Sequence, residues 1–307
     1  MKTKVRSAET AHSRSVGVRA ALAAYYHLTK PRIVLLLLIT TVPSMVLADK
    51  GLPSLWLIAA TLIGGTMSAG GANAINQFLD RDIDEIMTRT RSRPLPAHVV
   101  RPAHALAFGV GLGVAGFAWM LLTVNLPAAL LSAAALLFYV FVYTSWLKRS
   151  SPQNIVIGGA AGAAPALVGW AAVTGRVGWP AVVLFAIVFL WTPPHFWALS
   201  LRYQRDYRAA GVPMLPVVVG LQGTTRSIVR YSIVLVAVTL VLWPVAHTGL
   251  IYPVLAALLG ALFILRALRL RSAGTIPVAM SLFRYSILYL ALLFGAVALD
   301  TLIKYGL

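Results

Sequence analysis

The sequence predicts an all-α, polytopic integral membrane protein of nine transmembrane helices, with a cytoplasmic N-terminus and a C-terminus on the outer side. Three observations predict it. Of the 307 residues 59% are hydrophobic and only 11% charged, where soluble domains carry roughly 25% charged residues. The apolar residues gather in runs of about 18 or more, the length a helix needs to cross a bilayer. Finally, 23 of the 26 basic residues fall in alternate connections, leaving only Lys50, Arg176 and Lys304 for the others. That asymmetry orients the chain, and it accounts for the net charge of +18 without nucleic acid as a partner.

Taken in order, the predicted spans cover 32–48, 54–78, 102–122, 126–146, 153–173, 179–200, 228–246, 249–268 and 283–303. Residues 1–24 form a basic cytoplasmic arm ahead of a single transmembrane domain, 25–307. The arm is Ser-containing and poor in acids, as a mitochondrial transit peptide would also be, but it lacks the apolar core of a secretory signal. The second and fifth spans contain "GGTMSAGGANA" and "GGAAGAAPALVG", small residues that let helices approach closely in lipid. Long connections at 79–101, 201–227 and 269–282 all lie on the inner side, so chemistry is expected there. With no cysteine in the chain, thiol chemistry and Cys-ligated metals are excluded. Asp300, near the outer end of the last span, reads as a snorkelling or capping residue without catalytic function.

Residues 76–85, "NQFLDRDIDE", hold four of the eight acidic residues of the chain. Asn76, Asp80 and Asp84 recur every fourth residue and so share one helical face, whereas Asp82 and Glu85 point elsewhere. Carboxylates at membrane depth are costly, by about 2.5–3.5 kcal/mol each on insertion scales, and two on neighbouring turns repel. A bridging cation resolves both difficulties. Magnesium fits, because it takes one or two carboxylates together with substrate phosphates. Arg89, Arg91 and Arg93 follow in "MTRTRSRP", and guanidiniums suit phosphate oxygens. Metal carboxylates followed by arginines describe a diphosphate site.

"NQFLDRDIDEIMTRTRSRP" resembles the signature of the intramembrane UbiA-type prenyltransferases: Asn, Asp and Asp at four-residue spacing, then an Arg-rich tail. "YYHLTKPRIVLLLL", "YTSWLKRSSPQNIVIGGAAGAAPALVGW", "WTPPHFWALSLRYQRDY" and "AGVPMLPVV" are similar to the haem-prenylating branch, the protohaem IX farnesyltransferases or haem O synthases. The resemblance runs from about residue 25 to 218. It implies a UbiA-type helical bundle that transfers a farnesyl group from farnesyl diphosphate to a vinyl group of haem B, giving haem O, with Mg2+ assisting. Haem B is then a substrate rather than a cofactor. The implied setting is the lipid bilayer of a bacterial inner membrane, or less directly the mitochondrial one, with a haem A synthase or terminal oxidase as neighbour.

A second polar group follows the sixth span. His195, Leu199, Arg202 and Asp206 would form one stripe on a continuing helix. The wider superfamily carries a second aspartate-rich motif here. This sequence has Asp206 but arginines at 202 and 205, so Asp206 is expected to complete one metal shell with Asp80 and Asp84. Arg202 then contacts the diphosphate or pairs with Asp206. His195 follows Pro193 and Pro194, which are expected to break the helix and free carbonyls. It has three readings: a partner for that break, a haem ligand, or a base. Trp191, Phe196, Trp197, Tyr203 and Tyr207 could line the pocket and stabilise a cation. Arg89, Arg93, Lys148, Arg149, Asn154, Arg202, Asp206 and Tyr207 are the substrate-binding candidates, and Asn76, Asp80, Asp84 and His195 the catalytic ones. Prenylation of a quinone precursor or chlorophyllide is the nearest alternative. A transporter is more remote, because the acids cluster at one membrane face rather than the midplane.

Overall fold

The computed structural model describes residues 18–306, which are helical with no strand among them. Most of the predicted arm, 1–24, lies outside the described residues, and its end already belongs to α1 (Val18–Leu28). There follow α2 (Pro31–Asp49), α3 (Leu55–Leu79), the short α4 (Arg81–Ile86) and α5 (Pro102–Thr123). α6 (Leu126–Leu137) continues through a π-helical stretch (Phe138–Leu147) into α7 (Lys148–Ser150). Then come α8 (Asn154–Thr174), α9 (Trp179–Arg202), the short α10 (Gln204–Ala209), α11 (Leu215–Ala246), α12 (Ile251–Ala273) and α13 (Ile276–Tyr305).

Among the described residues, eight stretches are long and apolar enough to cross a membrane, with Leu126–Ser150 counted as one. The first predicted span forms α2, whose apolar part is the shorter Leu38–Asp49. Helices overrun two of the predicted connections. Within 201–227, α10 and the start of α11 are helical, with the chain turned at Gly220, whose φ of 66° lies in the left-handed region. Within 269–282 only Gly274 and Thr275 separate α12 from α13. Hydropathy marks the part of a helix that sits in lipid, whereas the helix itself ends only at a breaker. Residues 79–101 do remain largely irregular, and they contain Pro94 and Pro96.

The glycine-rich segments act as the sequence predicts. α3 packs on α5 with Gly71 against Gly109: a Cβ on Gly71 would stand 2.6 Å from the Gly109 carbonyl oxygen. On α8, a Cβ at Gly158 would stand 2.2 Å from the Tyr143 ring, so that glycine seats the π-helical stretch. The largest apolar core lies among α9, α11, α12 and α13, around Ile187, Leu235, Phe263 and Tyr289. At the start of α12, the buried Asp300 accepts the backbone N–H groups of Gly249 and, at 3.1 Å, Tyr252. It is a capping residue, satisfying donors that a helix start leaves free.

Candidate active site

The acidic face survives the end of its helix. α3 stops at Leu79 and α4 begins at Arg81, but Asp80 N–H bonds the Asn76 carbonyl (2.9 Å) and Asp84 N–H bonds that of Asp80 (2.8 Å). The four-residue register therefore carries through the junction. Asn76, Asp80 and Asp84 are all buried, while Asp82 and Glu85 are exposed.

Each member of the buried face meets a cation from another segment. Lys148 Nζ lies 2.5 Å from Asp80 Oδ2, Arg93 Nη1 lies 2.7 Å from Asp84 Oδ2, and Lys30 Nζ donates to Asn76 Oδ1 at 2.7 Å. Asn76 Nδ2 in turn donates to Asp80 Oδ2 (2.7 Å) and Thr144 Oγ1 (3.0 Å). Buried charges persist when paired and hydrogen-bonded in this way.

Local backbone supplies these partners at some cost. Lys30 sits in the left-handed region (φ 52°, ψ 62°) just before Pro31, a strain of about 1 kcal/mol for a non-glycine residue. The stretch carrying Thr144 is aromatic and β-branched, "FYVFVYTSWL", built from weak helix formers. Its wide turns are bridged by Thr144 Oγ1 to the Tyr139 carbonyl (2.8 Å) and Ser145 Oγ to that of Val140 (2.9 Å). Such π-helical turns recur at functional sites, and this one brings Thr144 and Lys148 to Asn76 and Asp80.

The loop after α4 ties this face to α10. Thr90 Oγ1 bonds the Asp84 carbonyl (3.1 Å), and Thr88 Oγ1 reaches Asp206 Oδ1 (3.4 Å). Arg89 lies over the Tyr203 ring at 5.5 Å and beside the buried Tyr207. The predicted stripe from His195 to Asp206 does not form, because α9 ends at Arg202 and Asp206 rides on the separate α10. Arg202 is exposed, stacks on Tyr203 (5.7 Å), and makes no ion pair with Asp206 among the described residues. Arg149 is committed to Asp82 through two bonds of 2.7 Å and to the Leu79 carbonyl. Those bonds hold the Asp82 carboxyl down to about 2.

Three carboxylates do not converge into a protein cage. Among the described residues no group of three Asp, Glu, His or Cys side chains is placed to hold a metal ion. The donor chemistry nevertheless suits a hard cation: Asp80 Oδ1 and Asp206 Oδ2 are enclosed carboxylate oxygens with no hydrogen-bond donor. Asn154, at the start of α8, is wholly buried with neither amide atom partnered. Unsatisfied buried polar groups of this kind are rare and call for a partner.

His195 belongs to different surroundings. α9 runs unbroken through Pro193 and Pro194, so the expected break does not form and His195 does not serve one. Its ring is sandwiched between Trp191 (4.2 Å) and Phe283 of α13 (4.6 Å), and its Nδ1 bonds Ser286 Oγ at 2.6 Å. Trp191 Nε1 bonds the Ser286 carbonyl at 2.8 Å. Ser286, Phe283, Thr144 and Tyr139 escaped the sequence reading. The first two have no local signal, and Thr144 lies inside a quoted motif without having been singled out.

An apolar cavity opens beneath the acidic face. It is lined by Thr61, Gly65, Ser68, Ala72 and Asn73 of α3, with Tyr139 and parts of α2 and α8. Asn73 is one turn from Asn76, and Tyr139 is the residue whose carbonyl holds Thr144.

Residues 37–293 match the model of the UbiA prenyltransferase family. The chain belongs to the UbiA prenyltransferase family. This UbiA chain is 55% identical to a protoheme IX farnesyltransferase of Frankia alni, over 93% of its own length and 100% of the relative's. It is 54% identical to another of the same name from Nocardioides, over 98% and 99%. Its fold matches a digeranylgeranylglyceryl phosphate synthase with a TM-score of 0.77 at 19% identity, covering 92% of this chain and 99% of that one. A UbiA homologue from Archaeoglobus fulgidus, solved with GPP and Mg2+, matches with a TM-score of 0.60 at 16% identity, covering 90% and 99%.

Proposed function

We propose that this membrane enzyme transfers the farnesyl group of farnesyl diphosphate to a vinyl group of haem B, giving haem O. The observation that carries the reading is the buried acid–base face set at the mouth of an apolar cavity. The names of the relatives supply the acceptor. Along α3 the cavity runs from Thr61 to Asn73, about 18 Å at 1.5 Å per residue, enough for an extended C15 chain.

Asp80 and Asp84, with Asp206 on α10, are the residues that would hold Mg2+ together with the diphosphate, since Asp80 Oδ1 and Asp206 Oδ2 are enclosed and unpartnered. When bound, the ion neutralises charge developing on the leaving diphosphate. Lys30, Arg93 and Lys148, which sit on Asn76, Asp84 and Asp80, are the cations a diphosphate would share. They are fixed before the substrate arrives, so little reorganisation is needed as the C–O bond breaks and its electron pair leaves with the diphosphate. Arg89 and Tyr207 close the same mouth from the loop and α10. Arg149 and Arg202 stand further out, as approach charges.

The allylic carbon then bonds to the terminal carbon of the vinyl group. Water adds to the adjacent carbon and loses a proton, giving the hydroxyethylfarnesyl substituent. Ser286 fixes His195 at Nδ1, which leaves Nε2 for the porphyrin side. The rings of Trp191 and Phe283 hold the imidazole in an apolar setting. The enzyme would work in the bacterial inner membrane, beside a haem A synthase or terminal oxidase that consumes the product.

The test is the mass of the haem formed by membranes supplied with farnesyl diphosphate and Mg2+. A farnesylated, hydrated haem is the expected product. A prenylated quinone with haem unchanged would overturn the reading.

A further inference from the structure

α12 and α13 leave a groove between them. On α12 it is lined by Leu262, Leu265, Arg266 and Arg269, and on α13 by Val278 and Ser281. The α12 residues recur at i, i+3, i+4 and i+7, which is one face of that helix. Leu262 and Leu265 are 40% and 61% exposed, so this face looks outward into lipid.

Arg266 is unusual on that face. It lies seven residues before the end of α12, about 10 Å from the helix terminus. Its guanidinium packs on the Tyr285 ring at 4.7 Å, and Nη1 donates to Ser281 Oγ at 3.0 Å. Its Nε is enclosed without a hydrogen-bond partner, and among the described residues it has no carboxylate. Topology accounts for a basic residue near the inner end of this span, but not for one whose Nε is turned into a groove between two helices. An enclosed guanidinium nitrogen without a carboxylate needs an anion. Arg269, one turn nearer the surface, marks the direction from which the anion comes.

We propose that this groove binds one anionic phospholipid. Arg266, Ser281 and Arg269 take its phosphate, and its acyl chains lie over Leu262 and Leu265. Basic pockets between transmembrane helices bind such headgroups. The site is separate from the diphosphate face, which is built on α3, the π-helical stretch and α10.

Full-length protein would be purified in mild detergent, exposed to equimolar phosphatidylglycerol and phosphatidylcholine, and weighed by native mass spectrometry. The expected result is one retained phosphatidylglycerol. Arg266→Gln and the exposed Arg269→Gln should each weaken retention about fivefold, the worth of one basic residue near a membrane surface. Arg269→Gln guards against a folding defect in the deeper variant, and Lys50→Gln on the opposite face should change nothing. Equal retention of phosphatidylcholine overturns the proposal, as does unchanged retention in both arginine variants. Displacement of the lipid by millimolar inorganic phosphate also overturns it, assigning the groove to a free anion.

Discussion

The acidic face at the end of α3 and the histidine between α9 and α13 are two halves of one proposed site, and they are made differently. The first gathers Lys30, Asn76, Asp80, Asp84, Arg93 and Lys148 into a chain of charge-assisted bonds of 2.5–2.7 Å. The second has one titratable ring, two aromatic walls and a single hydroxyl. The contrast follows the chemistry. A departing diphosphate needs fixed charges, whose value rises where water is excluded. A neutral vinyl group needs shape and a correctly held nitrogen. Damage to the first half should therefore stop ionisation outright, and damage to the second should spare diphosphate binding.

The largest effect is expected at Asp80 or Asp84. Replacing either by Ala should lower haem O formation on the order of a thousandfold, as loss of a preorganised electrostatic group does. Membrane insertion should be unaffected. Product mass and yield in membranes measure both, and wild-type turnover in either variant would dissolve the distinction between the halves.

Next comes Lys148→Met, which strands the Asp80 carboxylate at 0% exposure without its cation. Breaking a buried pair costs about 3 kcal/mol, readable as a lower unfolding temperature in detergent. The double variant Asp80→Asn, Lys148→Met should regain most of that stability and none of the activity. If the single and double variants melt together, the pair is not coupled.

The same contrast explains what the sequence makes legible. The acidic face is local: Asn76 to Arg93 lie within one short stretch, and helical spacing alone separates Asp80 and Asp84 from Asp82. Lys148 stood among the substrate-binding candidates, but Lys30 was visible only as a basic residue at the inner surface, because positive-inside placement hides a site lysine among topological ones. The histidine half is long-range. Ser286 stands 91 residues from His195, and nothing in either neighbourhood announces the other. The prolines misled because a membrane helix can carry Pro193 and Pro194 without ending. The span pattern was legible, since hydropathy reports lipid contact directly. Helix ends were not, since α11 and α12 extend beyond their lipid-facing parts.

Ser286→Ala probes the second half at smaller scale. Removing the hydroxyl that fixes Nδ1 should lower turnover about tenfold, the usual cost of losing an orienting partner, with farnesyl diphosphate affinity unchanged. His195→Ala should cost more in the same assay and likewise leave diphosphate binding intact. Loss of diphosphate binding in either variant would join the two halves into one electrostatic unit.

The smallest effect is reserved for the acid that helical spacing sets aside. Asp82 bonds Arg149 at the surface, with its side chain 61% exposed, so solvent screens the pair. Arg149 lowers the Asp82 carboxyl to about 2, below the value of about 3.9 for a free aspartate. A depressed carboxylate contributes stability above its unfolded value, and that contribution fades as pH falls towards the folded one. Asp82→Asn should therefore differ from wild type by a small, constant amount between about pH 5 and 8, with the difference shrinking below about pH 4 and vanishing near about pH 2. Its turnover should match wild type, although Asp82 is only two residues from Asp80 and from Asp84. A large loss of activity in Asp82→Asn would mean that burial had been the wrong criterion for picking the reactive carboxylates out of the acidic run.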